Sequence, residues 1–156
     1  MTDSPKLDKL EFTQEQITHM QKYGGERRMY PLPTILIVED QPFSRNLIEG
    51  MLMRHYACYS AMNVKQAIAL YAEHIPCIVF LDIELPDGNG HELAALIKKV
   101  DPDSFIVMVT ANSYQQDVTK AVENKTQGFV VKPYSRQKIM TYIEKYTQER
   151  KLKKIG

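Results

Sequence analysis

Ile78-Val79-Phe80-Leu81-Asp82 sets the reading of this chain: four apolar residues in a row, then a carboxylate. A comparable arrangement, an apolar run closed by a polar residue, recurs three times. Ile35-Leu36-Ile37-Val38 ends in Glu39-Asp40, Phe105-Ile106-Val107-Met108-Val109 ends in Thr110, and Phe129-Val130-Val131 ends in Lys132-Pro133. Apolar runs this short, separated by helical patterns, read as strands buried on both faces of a parallel sheet. Ligands of such sheets bind in the crevice outside the carboxyl ends of the strands. Three carboxylates, a hydroxyl and an ammonium therefore converge on one edge, a combination suited to metal-assisted phosphoryl chemistry.

Helical patterns fill the gaps between these runs. Pro42 at a first helical position opens a helix with Leu47, Ile48, Met51 and Leu52 on one face. A second strand near 57–61 leads to a helix carrying Val64, Ala67, Ile68 and Tyr71, and the loop ending at Gly90 leads to one carrying Leu93, Leu96, Ile97 and Val100. A weaker helix spans 114–124. A final helix, 136–147, carries Ile139, Ile143 and Tyr146. These stripes are core faces. Strand and helix alternate five times from Thr34 onwards, which predicts an α/β fold, a doubly wound five-stranded parallel sheet of order 2-1-3-4-5, flavodoxin-like.

The order, residue types and spacing resemble the receiver domain of bacterial two-component response regulators, of the chemotaxis-regulator-like, single-domain kind. The resemblance covers roughly residues 33–148, and several matches in the right order outweigh any single short motif. Asp82-Ile83-Glu84-Leu85-Pro86-Asp87-Gly88-Asn89-Gly90 follows the family's stretch after its acceptor, with the proline and final glycine in register. The resemblance implies that Asp82 is the phosphoacceptor, Glu39 and Asp40 the acidic pair, Thr110 the switch hydroxyl, Lys132 the site lysine and Phe129 the switch aromatic. It also implies that the backbone carbonyl of Glu84 is a metal ligand, and that Glu84 and Asn112 tune hydrolysis of the phosphoryl group.

The chemistry fits these residue types. A carboxylate can hold a phosphoryl group as an acyl phosphate. Mg²⁺ offsets the repulsion between an anionic acceptor and a phosphate, binding one or two carboxylates with other oxygens and waters. Glu39, Asp40 and Asp82 supply the carboxylates, Lys132 a compact point charge and Thr110 a hydroxyl donor. Pro133 fits a cis peptide that would aim Lys132 inward. Glu39 stands where the family often has Asp, which keeps the site acidic. Lys125-Thr126 stands where it often has Gly-Ala, so the left-handed end of the preceding helix is expected at Asn124.

The expected role is a phosphorylation-activated switch. It takes its phosphoryl group from a sensor histidine kinase or a histidine phosphotransfer protein and signals to a downstream protein target through its fourth helix, fifth strand and fifth helix. It is expected to be no enzyme beyond self-catalysed phosphoryl transfer and dephosphorylation. Only 23 residues follow Pro133, too few for a DNA-binding domain. Two readings stand beside this one, a receiver-like scaffold that no longer uses phosphate and an aspartyl-phosphate phosphatase. Steady turnover of small phosphate esters would identify the phosphatase.

Composition is that of a soluble globular protein, with 44% apolar and 25% charged residues among 156 and a net charge of +1. No stretch approaches the ~20 apolar residues of a membrane span, and the N-terminus lacks a signal-peptide profile, so the expected address is cytoplasmic. Cys58 and Cys77 fall on strands two apart, too far for a disulfide. His19, His55, His74 and His91 read as solvated or capping residues.

Residues 1–33 form an N-terminal extension, 34–148 the receiver domain and 149–156 a basic C-terminal tail. In the extension, Thr13-Gln14-Glu15-Gln16 is a capping-box pattern that starts a short helix near 14–23, and Tyr30-Pro31-Leu32-Pro33 is a linker. Leu7, Leu10, Phe12, Ile17 and Met20 are too apolar for a solvated tail. Their neighbour is the molecule's own surface or, in a homodimer, a second copy.

Overall fold

The computed structural model describes residues 10–112 and 114–155, the last three as backbone only. One parallel sheet carries β1 (Ile35–Val38), β2 (Cys58–Ala61), β3 (Ile78–Asp82), β4 (Ile106–Thr110) and β5 (Gly128–Val131) in the order β2-β1-β3-β4-β5. This is the doubly wound, flavodoxin-like topology. The helices are α1 (Gln14–Tyr23), α2 (Pro42–Leu52), α3 (Val64–His74), α4 (Gly90–Val100), α5 (Gln115–Glu123) and α6 (Arg136–Ile155).

Strand alternation sorts the sheet's side chains into two apolar layers. Leu36, Val38, Val79, Leu81, Ile106 and Met108 pack with α3 and α4. Ile35, Ile37, Ile78, Phe80, Val107 and Val109 pack with Ile48 and Leu52 of α2 and with Ile139, Ile143 and Tyr146 of α6. Helix starts are fixed locally. The Asn63 side chain accepts from Gln66 N at 2.8 Å to cap α3, and Asn89 accepts from His91 N at 2.7 Å to cap α4. At Gly90 a Cβ would overlap the Asp82 carbonyl and Ile83. Glycine there lets α4 begin hard against the end of β3.

The extension docks on its own molecule. Thr13 and Gln16 form the expected capping box at the start of α1. Phe12 and Met20 enter the α3–α4 layer, and the Phe12 ring lies 6.2 Å from that of Tyr71. Burying each such side chain contributes roughly 1.5–3 kcal/mol. Leu10 is exposed, and Leu7 lies outside the described residues. A 3₁₀ turn, Gly24–Met29, then brings in Arg27, which is only 4% exposed. Its guanidinium grips Asp101 in a two-pronged pair at 2.7 and 2.8 Å, while Tyr71 donates to the same carboxylate at 2.5 Å. Burial opposes the arginine's charge, yet these partners outweigh it and hold its pKa above the ordinary value.

Three expectations change. The last helix does not give way to a tail near residue 148, because α6 continues to Ile155. No Gly or Pro interrupts 136–155, Gln148 hydrogen-bonds Glu144 one turn back, and Arg150 stacks over Tyr146. The left-handed position after α5 is Lys125 (φ 59°), not Asn124 (φ −79°). The Asn124 amide is committed to the His91 carbonyl at 3.0 Å, which holds its backbone at negative φ. Lys125 N then donates to Val122 O and Thr126 N to Ala121 O, a Schellman ending built without glycine. His91 is not solvated but 4% exposed, with Nε2 3.1 Å from Asp117 across the α4–α5 seam.

Cys58 and Cys77 are both free, separated by β1, and burial pushes the Cys58 thiol up to about 11. Among the described residues no helix is long and apolar enough to cross a membrane.

Candidate functional site

The parallel sheet brings the carboxyl ends of β1, β3, β4 and β5 to one edge, and the sequence places a polar residue at each. Asp82 ends β3, the central strand, with β1 on one side and β4 on the other. Glu39 follows β1 and is fully buried, its backbone N donating to Ala61 O at 2.9 Å. One carboxylate oxygen each of Glu39, Asp40 and Asp82 lies within 4.8 Å of the others. That spacing and the all-oxygen donor set fit a hard divalent cation such as Mg²⁺.

Lys132, just past β5, is positioned by its own backbone N donating to Thr110 O at 2.7 Å. Its Nζ stands 2.9 Å from Asp82 Oδ2 and also pairs with Glu39 Oε1. The Lys132–Pro133 peptide is cis. Burial works against the lysine's charge, but hydrogen bonds and charges from Glu39 and Asp82 outweigh it and raise its pKa. Asp82 is raised to about 7, chiefly by burial, then by its hydrogen bond to Glu39 and that residue's charge, with Lys132 opposing. In the metal-free protein the acidic edge thus holds a proton more readily than an isolated aspartate does.

Thr110 ends β4 and is buried, its Oγ1 accepting from Asn112 N at 3.2 Å. Glu84 is exposed at the cleft wall, and its backbone N donates to Asp82 Oδ1 at 3.3 Å. A cleft of about 240 Å³, open to solvent, is lined by Asp40, Asp82, Glu84, Thr110 and Lys132, among others. Phe129 stands back from it. It pairs in register with Met108 on β4, whereas Thr110 pairs with Val131. Its ring is half-buried against the α3–α4 layer, and Tyr142 OH is 3.2 Å from its backbone N.

Three supporting residues escaped the sequence reading. Tyr134 donates to Glu39 Oε1 at 3.4 Å, and burial foremost, then the charges of Glu39 and Asp82, pushes its hydroxyl well above its ordinary pKa. Arg45 donates to the backbone carbonyls of Glu39 and Asp40 at 3.2 and 3.4 Å, tying α2 to the acidic pair. Asp87 accepts from Val64 N and Lys65 N at 2.7 and 3.0 Å, anchoring the loop after Asp82 to the start of α3. Only Tyr134 had a sequence signal, two residues beyond Lys132. The other two depend on turns that bring distant backbone within reach.

Comparison with known proteins agrees with this geometry. Residues 35–144 match the response regulator receiver domain family. The chemotaxis protein CheY of Bacillus subtilis is 33% identical over 113 residues, covering 71% of this chain and 94% of that protein. The CheY of Halobacterium salinarum is 31% identical over 110 residues, 70% of this chain and 92% of that one. Among solved structures, a CheY-like receiver domain protein from Methanospirillum hungatei superposes with a TM-score of 0.73 at 22% identity, covering 78% of this chain and 98% of that one. The match spans most of the chain and coincides with the segment that builds the acidic edge. The chain belongs to the response regulator receiver domain family.

Proposed function

We propose that this receiver domain is a phosphorylation-activated switch in which Asp82 accepts a phosphoryl group from a histidine kinase or a histidine phosphotransfer protein. The observation that carries the reading is the meeting of Glu39, Asp40 and Asp82 within 4.8 Å, with Lys132 Nζ 2.9 Å from Asp82. An Asp82 oxygen attacks phosphorus, the phosphorus–nitrogen bond of the donor histidine breaks, and the imidazole leaves with the electron pair. Lys132 balances charge on the acceptor and then on the phosphoryl oxygens. Thr110 supplies a hydroxyl donor to another oxygen. Glu39, Asp40, Asp82 and the Glu84 carbonyl would hold Mg²⁺, which when bound neutralises the clustered negative charge.

The output is a protein contact. Engagement of Thr110 by the phosphoryl group draws it inward and leaves room for Phe129 to turn in, shifting the population between two packings of α5, β5 and α6. Tyr114 and Val122 are exposed on that face, as befits a surface awaiting a partner. On the opposite flank of the acidic edge, Phe43 is 81% exposed in the first turn of α2 and offers an apolar contact to the phosphodonor protein. The chain acts as a stoichiometric acceptor in the cytoplasm, not as a multiple-turnover enzyme.

Intact-mass spectrometry after incubation with Mg²⁺ and acetyl phosphate tests the reading. One added phosphate is expected, absent in Asp82→Asn and in EDTA. Normal labelling of Asp82→Asn would overturn the assignment, and no labelling of the wild type would favour a phosphate-independent scaffold. Amide exchange in 114–124, at Phe129 and in 136–147 should change on phosphorylation or with beryllofluoride.

A further inference from the structure

At the end of the sheet opposite Asp82, a second cleft lies where the 3₁₀ turn, the start of β4 and the far half of α6 meet. Its walls include Arg28, Ser104, Phe105, Gln127, Tyr146 and Arg150, and it offers a cavity of about 60 Å³, room for a small ion. Two of its polar groups are buried and lack any hydrogen-bond partner, Ser104 Oγ and Arg150 Nε. Ser104 is 2% exposed. A buried donor left unmade costs about 1–3 kcal/mol, so two orphans in one cleft call for something that accepts from both.

The surrounding groups point to the charge of that acceptor. Gln127 Oε1 already accepts from Ile106 N at 2.7 Å and Lys98 Nζ at 3.2 Å, which leaves its amide N–H groups as donors. Arg150 touches the Tyr30 carbonyl and the Tyr146 ring but has no carboxylate at ion-pair distance among the described residues. Arg27 and Arg28, on the same wall, are paired with Asp101 and Asp103, so those two carboxylates are already matched by cations. Glu149 is the remaining acid on the wall. The site is rich in donors, carries one unmatched guanidinium, and has Phe105 and Tyr146 as an apolar side.

We propose that this cleft binds a small tetrahedral oxyanion of the phosphate or sulfate class, free or as a monoester, through Arg150 Nε and Ser104 Oγ. Ser104 precedes β4 and Thr110 ends it, so the six-residue span puts the two sites roughly 20 Å apart along one strand. The ligand would tie the N-terminal extension to α6.

The test follows the Arg150 side-chain Nε–H and the Ser104 amide by NMR in the full ¹⁵N-labelled chain. Inorganic phosphate, sulfate or glycerol 3-phosphate is titrated in EDTA at ionic strength held constant with chloride. Saturable shifts at both groups are expected, weakened about tenfold, or ~1.4 kcal/mol, in Arg150→Gln and in Ser104→Ala. Binding to Asp82→Asn should match the wild type, which separates this cleft from the acidic edge. Tighter binding of the ester would identify a phosphorylated small molecule as the source, and equal binding the free ion. Linear shifts in the wild type, or saturable shifts unchanged in Ser104→Ala, would overturn the proposal. That variant removes one oxygen and remains informative if Arg150→Gln fails to fold.

Discussion

Lys132 Nζ stands 2.9 Å from Asp82 Oδ2 while also pairing with Glu39, so a single cation bridges the last strand to two of the three clustered acids. Without a divalent ion it is the only counter-charge among the described residues that touches both carboxylates. The edge is therefore under-neutralised, and its stability responds to protons, to metal and to loss of that lysine.

The proton response has a defined sign. Asp82 titrates near 7 in the folded state against 3.8 as the reference value. Between those values the folded chain binds more protons than the unfolded one, so stability falls as pH rises through that window and stays lower above it. Asp82→Asn should therefore raise the metal-free melting temperature at pH 8, by about 2–4 °C for each kcal/mol relieved. The gain should shrink towards pH 4. Equal melting temperatures at pH 8 would contradict it.

Lys132→Ala should destabilise the metal-free protein by about 3 kcal/mol, since Glu39 remains fully buried without its cation. Added MgCl₂ should narrow the gap to wild type, because another cation then faces the same carboxylates. Urea unfolding with and without the salt measures both effects. A gap that Mg²⁺ leaves unchanged would place the lysine's contribution outside the acidic cluster.

Glu84 lines the cleft from the segment after β3, and Asn112, in the loop after β4, donates its backbone N–H to Thr110 Oγ1. Glu84→Ala and Asn112→Ala should change the decay rate of the phosphorylated form severalfold while leaving labelling intact. Decay curves identical to wild type in both variants would remove these residues from control of hydrolysis.

Lys125→Gly should stabilise the fold by about 0.5–1 kcal/mol, because the residue sits at φ 59° in a Schellman ending where a Cβ is penalised. Asn124→Gly should not, since it loses the bond to His91 and gains no relief. Thermal melts of the two variants should move in opposite directions.

The strand ends were legible because an apolar run that stops at a charged residue marks both a buried strand and its edge. Topology then fixes which ends are neighbours, and that places Glu39, Asp40, Asp82, Thr110 and Lys132 together. Long-range polar pairing was not legible. Arg27 lies 74 residues from Asp101, and nothing local marks either as the other's partner. His91 looked ordinary because only the crossing of α4 and α5 brings Asp117 to it. The rule that Asn is the next-best left-handed residue failed at 124 because its amide was already engaged elsewhere, and the strain passed to Lys125.

The Arg27–Asp101–Tyr71 cluster makes the boundary of inheritance differ from the boundary of mechanical integrity. The family match begins at residue 35, yet Asp101 and Tyr71, both inside the matched segment, take their cation from residue 27. An excised module would leave a half-buried carboxylate without its counter-charge and an apolar wall without Phe12 and Met20. The extension therefore carries part of the module's own stability: a fragment starting at residue 35 forfeits the Arg27 ion pair and the burial of Phe12 and Met20.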